Sequence, residues 1–238
     1  MKPQVAVVPI SFIFLCLCLS ALGQTSRMDD HSDWWSILNE HSRGPRIKPS
    51  GHDLDARNFE IAKLDLAKVS FADIAARLGR AARIRRGDAS SSREQACYVS
   101  AHGSMPTYLI FEFGEDVSNF YLFADGEGWK GRSSCAKSEQ LSSDTSTFSG
   151  LRLGLTLEQF KAILGQPDST ADSELVYSRA VKTKSTPEQF ERQRKEYPDA
   201  LSDRVAHEKF DFYTVSLYIE GRFTDSKLSY LAVSKSGE

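Results

Sequence analysis

Two stretches of the chain, 64–79 and 151–165, carry the same pattern, and that repetition constrains the fold more than any other feature. The first runs from Leu64-Asp65-Leu66 to Ser70, then Phe71-Ala72-Asp73-Ile74-Ala75-Ala76-Arg77-Leu78-Gly79. The second runs from Leu151-Arg152-Leu153-Gly154-Leu155 to Thr156, then Leu157-Glu158-Gln159-Phe160-Lys161-Ala162-Ile163-Leu164-Gly165. From the hydroxyl residue to the glycine is nine positions in both. The pattern predicts a short helix written twice. Ser70 and Thr156 cap the open amides, and Asp73 and Gln159 stand three residues on, where a side chain reaches back. Phe71, Ile74, Ala75 and Leu78 form one apolar face; Leu157, Phe160, Ile163 and Leu164 form the other. Gly79 and Gly165 supply the stop, and Pro167 blocks continuation.

Strand-like runs follow each helix: 97–101, 108–113 and 119–124 in the first half, 175–180, 212–219 and 228–233 in the second. Gly114-Glu115-Asp116 marks one hairpin turn; Gly221 with Thr224-Asp225-Ser226 marks the other. The expected fold class is therefore α+β, in two tandem units, each with short helices packed on one face of a small antiparallel sheet. The first unit spans 58–135 and the second 150–238, joined by a Ser-rich linker at 136–149. A charged insert at 182–209 interrupts the second unit; Thr186-Pro187-Glu188-Gln189 opens a helix there, ending near Tyr197-Pro198.

Residues 1–23 read as a signal peptide, with Lys2, an apolar run over 5–22 and the small-residue exit Ala21-Leu22-Gly23. The same run is long enough to span a membrane marginally as an uncleaved anchor. Residues 24–57 form a flexible polar leader holding Trp34 and Trp35, which either docks through one aromatic turn or binds a partner. Past the signal segment only Cys97 and Cys135 remain. In an oxidising compartment an even pair predicts a disulfide, the alternative being two buried thiols.

The chain has 30 basic and 32 acidic residues. That balance lacks the basic footprint nucleic acid requires and any polybasic membrane-surface signal. Motifs with chemical associations lack their context. Gly126-Glu127-Gly128-Trp129-Lys130-Gly131 matches the dinucleotide spacing, but no amphipathic helix follows to receive a pyrophosphate. Ser134-Cys135-Ala136-Lys137 matches Ser-x-x-Lys without its companion motifs. His31, His41, His52, His102 and His207 form no zinc-ligand spacing. The sequence thus nominates no catalytic residue, no cofactor-binding residue and no metal ligand.

The run from Gly150 to Pro167 resembles the BamE-like (SmpA/OmlA) module in its glycine, small loop, capped helix and Leu-Gly-x-Pro ending. Residues 227–233 resemble that module's last strand. The likeness covers 150–235 strongly and 62–135 weakly, where Gly79 lacks the following proline. Two modules in tandem also resemble secreted beta-lactamase inhibitor proteins. The resemblance implies helices on one face of an antiparallel sheet, a bacterial envelope or secreted setting, and binding to proteins without catalysis. This chain departs from the single-module lipoprotein in having two copies and no convincing lipidation cysteine.

The reading that follows is an exported, non-enzymatic protein-binding or envelope-scaffold module, periplasmic or secreted. Its expected partner is another envelope or secreted protein; it touches no nucleic acid and meets the membrane only through the signal segment. A secreted inhibitor of a hydrolase, or an undetected hydrolase using scattered carboxylates, of which the sequence singles out no pair, are the alternatives. Contact residues are sought on the sheet face away from the helices. In 108–113 the inward phase is Leu109, Phe111 and Phe113, leaving Tyr108, Ile110 and Glu112 outward. In 212–219 it is Tyr213, Val215, Leu217 and Ile219, leaving Phe212, Ser216 and Tyr218. Tyr108 and Tyr218 are the candidate partner-binding residues.

Overall fold

The computed structural model describes residues 54, 56–86, 92–103, 105–114, 117–124, 134–171, 173–197, 206–207 and 210–237. The signal segment, the leader through residue 53 with Trp34 and Trp35, the Glu115-Asp116 turn, the 126–131 glycine motif and residues 198–205 of the charged insert lie outside them.

A short 3-10 helix, Ala56–Phe59, leads into a small hairpin, β1 (Glu60–Ile61) and β2 (Leu64–Asp65). Helix α1 (Phe71–Leu78) precedes β3 (Arg83–Arg86), β4 (Arg93–Ser100), β5 (Thr107–Phe113) and β6 (Val117–Ala124). After the short β7 (Ala136–Ser138), helix α2 (Leu157–Leu164) precedes β8 (Ser169–Ala171), β9 (Glu174–Lys184), β10 (Phe212–Thr224) and β11 (Lys227–Gly237). Helix α3 (Pro187–Glu196) lies between β9 and β10. The fold is α+β, as expected.

Helices α1, α2 and α3 each begin where the sequence provides a cap. Ser70, Thr156 and Thr186 accept from the backbone N–H three residues on, and Asp73, Gln159 and Gln189 return the bond to the cap N–H. These reciprocal bonds satisfy amides that the first helical turn otherwise leaves open. Gly79 (φ 99°) and Gly165 (φ 83°) close α1 and α2 in a backbone region costly for other residues.

The strands of both halves form one nine-stranded sheet in the order β3-β4-β5-β6-β11-β10-β9-β8, with β7 added parallel to β4. The seam is the antiparallel pair β6–β11, registered from Tyr230 opposite Phe123 to Ser236 opposite Val117. Outward from this seam the order is mirrored: the four strands after α1 and the four after α2 are laid down in the same sequence. The helices share one face. Phe71 of α1 meets Phe113 of β5 edge-on at 4.9 Å, and Phe160 of α2 meets Tyr177 of β9 and Phe223 of β10 at 6.0 and 5.6 Å. Leu66, Ile74, Leu109, Leu122, Leu151 and Leu231 complete a single continuous core between helices and sheet.

The Ser-rich stretch expected as a linker is packed into this core. β7 pairs with Tyr98, Val99 and Ser100, Leu141 and Thr147 are buried, and Phe148 N–H donates to Glu60 O at 2.9 Å. Gly221 also departs from its expected place, lying inside β10 rather than in a turn. The turn is the two-residue Asp225-Ser226, both with positive φ (49° and 62°), which matches the twist of the flanking strands.

Candidate functional site

The sheet face away from the helices differs between the halves. In β4, β5 and β6 it is as buried as the core face. Cys97, Tyr108, Ile110, Tyr121 and Phe123 gather there with Tyr230 and Ala232 of β11. Cys97 and Cys135 are joined by a disulfide, with Cα atoms 4.7 Å apart. Tyr108 is 1% exposed and stacks on Phe123 at 5.3 Å. The expected outward phase Tyr108, Ile110 and Glu112 is thus closed. A protein ligand cannot reach Tyr108 in this arrangement, and its assignment as a contact residue is corrected to a packing role.

Glu112 is buried beside these residues, which a carboxylate tolerates only when paired. Arg93 Nη1 donates to its Oε1 at 2.9 Å and Asn119 Nδ2 to the same oxygen at 2.8 Å. Gln95 Nε2 donates to Oε2, and Tyr121 OH lies 3.4 Å from Oε1. Burial first, and then the charge of Glu112, drive the Tyr121 pKa far up. Period-two alternation in β5 placed Glu112 outward; it could not reveal that the outward face is closed.

In the second half the corresponding face is partly open. Tyr218 is half-buried at its centre, opposite Ser178 of β9 and Ser234 of β11. The next outward residue of β10, Ser216, lies opposite Ala180 and Ser236. Thr214 continues the row, and Phe212 at its end is 47% exposed. This side of the sheet therefore presents a tyrosine among hydroxyls. Its chemistry is legible in the strict alternation Tyr213-Thr214-Val215-Ser216-Leu217-Tyr218-Ile219.

Tyr218 is held from below. Its hydroxyl donates to Glu220 Oε2 at 2.9 Å, and Arg222 Nε donates to Glu220 Oε1 at 2.6 Å. Arg222 also reaches Glu174 Oε2 at 3.3 Å and lies 5.5 Å over the Tyr230 ring. Burial raises the Glu220 pKa, and the Arg222 charge opposes that rise. Burial, with the Glu220 charge behind it, drives Tyr218 up as well, so its proton stays in place for donation. Glu220, Arg222 and Glu174 were not singled out by the sequence; on β10 the two residues simply continue the outward phase of Tyr218.

Among the described residues no group of three or more His, Cys, Asp or Glu is placed to hold a metal, and no helix is long and apolar enough to cross a membrane. No protein-family model, curated protein or solved structure matches the chain.

Proposed function

We propose that this chain is an exported protein-binding module whose work is recognition rather than catalysis. It is built from two BamE-like α+β units that share one sheet and acts in the periplasm or outside the cell. The observation that carries the reading is the half-open β9–β10–β11 face, where Tyr218 stands among Ser178, Ser216, Ser234 and Ser236. Tyrosine supplies contact area at small entropic cost, and serine supplies adaptable hydrogen bonds. Protein-recognition surfaces combine the two for that reason. The mirrored strand order supports the two-unit part, and the disulfide fits an oxidising compartment.

The test is cross-linking of the oxidised protein in its native envelope, followed by identification of what is attached. One dominant protein partner, lost in Tyr218→Ala while the variant stays folded, is the expected result. Capture that Tyr218→Ala leaves unchanged would remove the face assignment. Absence of any protein partner would remove the binding reading and favour screens against hydrolase substrates.

A further inference from the structure

Strand β9 has an edge that is covered for less than half its length. On that side β8 pairs with Glu174, Leu175 and Val176, and Asp168 Oδ2 accepts from Ser178 N–H at 2.6 Å. Among the described residues no strand pairs with β9 beyond Val176 on this side. The strand nevertheless continues to Lys184, held along its other side by β10 as far as Phe212. Strand backbone alternates its hydrogen-bonding direction residue by residue. Ala180 and Lys182 therefore turn N–H and C=O the same way as Ser178, toward the open side.

This edge borders a groove of about 560 Å³ on the helix-bearing face. Val181, Tyr213, Val215 and Leu217 line it from the sheet, and Leu54 and Phe59 line it from across. Val181 is 40% exposed. A strand added beside β9 would place every second side chain next to Val181 and Thr183, over this mainly apolar groove, whose lining also includes the charged Arg57, Glu60, Asp65, Lys68 and Lys235. The intervening side chains would fall on the other face, next to Lys182 and Lys184, both exposed. Residues 178–184 carry cations and no carboxylate.

We propose that residues 180–184 of β9 take up an extended segment of a partner protein as an added strand, one that alternates apolar with acidic residues. Its apolar side chains would enter the groove beside Val181, and its carboxylates would face Lys182 and Lys184. Main-chain bonds would supply affinity and the two alternating faces specificity. A second copy of this chain fits poorly, because pairing 178–184 of β9 with itself gathers Lys182 and Lys184 of both strands on one face, with no carboxylate from either stretch to match them. The inference rests on the protein-binding reading above and specifies its partner's chemistry.

The probe is a blocked heptapeptide alternating Val with Glu, offered to the full chain with its disulfide formed. Binding is followed by fluorescence anisotropy and by amide exchange at Ala180 and Lys182. The peptide should bind and slow exchange at both amides. N-methylation of alternate peptide residues, or Lys for Glu, should each weaken it at least tenfold. Lys182→Pro should do the same, since proline is tolerated where an edge-strand N–H makes no ladder bond. K182Q/K184Q should lose a smaller, salt-dependent part. No binding, binding without protection of Ala180 and Lys182, or equal affinity for the Lys peptide would overturn the proposal. So would a dimer in sedimentation that Lys182→Pro abolishes, which would make the occupant a second copy. Envelope partner capture that depends on Tyr218 but persists in Lys182→Pro would remove this edge site while leaving the protein-binding reading intact.

Discussion

Phe160 of α2 rests its ring against the bare Cα of Gly221 in β10: a Cβ built on that glycine falls 2.7 Å from Phe160 Cζ and 2.9 Å from Leu228 Cδ1. Phe160 is fully buried, so the ring has no free space to yield into. The helix approaches the sheet this closely because the strand omits a side chain beneath it. Gly221→Ala should therefore destabilise by about 1–3 kcal/mol, the usual cost of overpacking a filled core. Phe160→Leu trims the opposing ring. In urea titrations the double variant should be less destabilised than the sum of the singles, by a coupling of about 0.5–3 kcal/mol. Additive costs would mean that the two residues do not bear on each other.

The three capped helices should differ in what their caps are worth. Thr156 holds the first turn of α2, which presents Phe160 to the core, whereas α3 buries no residue. Thr156→Ala should cost about 1 kcal/mol of global stability. Thr186→Ala breaks the same reciprocal bond in a helix that contributes little to the core. Its effect should be confined to faster amide exchange within α3, with the denaturation midpoint unchanged.

The local part of this fold was legible in the sequence because each signal rests on short-range chemistry. Ser70, Thr156 and Thr186 announce their helices by what stands three residues later, and Gly79 and Gly165 announce where two of them stop. The alternation around Tyr218 correctly separated Val215 and Ile219, which are buried, from Phe212, which is exposed. Failures came where a distant partner decides. Nothing local to Tyr108 reports that both faces of β5 are covered, and the serines of 136–149 read as a loop until β4 is there to receive β7. Gly221 reads as turn chemistry until Phe160 is placed opposite it.

Cys97 lies in the buried cluster on the second sheet face, and its bond to Cys135 closes a separation of 38 residues. Constraining the unfolded chain over such a loop is worth about 4 kcal/mol in the chain-entropy account, with about 2–4 typical of measured cases. Cys97→Ala/Cys135→Ala should lower unfolding free energy within that range without changing the native far-ultraviolet circular dichroism. Reductant added to the unmodified protein should lower the denaturation midpoint in the same direction. A variant as stable as the parent would show that packing of Cys97 among Tyr108, Ile110 and Tyr121 suffices without the crosslink.

Glu220 gives the site a pH dependence of definite sign. Burial raises its pKa above the ordinary 4.5, and Arg222 at 2.6 Å only partly opposes this. Between the ordinary value and the raised one, the folded protein holds a proton that the unfolded chain has released. Stability from this group is therefore fully present below 4.5 and declines as pH rises through that window. Glu220→Gln removes the titration. Asp65 and Asp73, both lowered in the folded protein, titrate alike in parent and variant and cancel in the difference. The stability of the parent minus that of Glu220→Gln, from urea midpoints at successive pH values, should fall above 4.5 and then level off. Tyr218→Phe deletes a bond that favours the ionised carboxylate, so the same difference measured in that background should level off at higher pH. A flat difference would mean that Arg222 fully offsets burial; a rising one would mean that the ion pair outweighs it, with Glu220 anchoring Tyr218 as a stabilised carboxylate at every pH above its own titration.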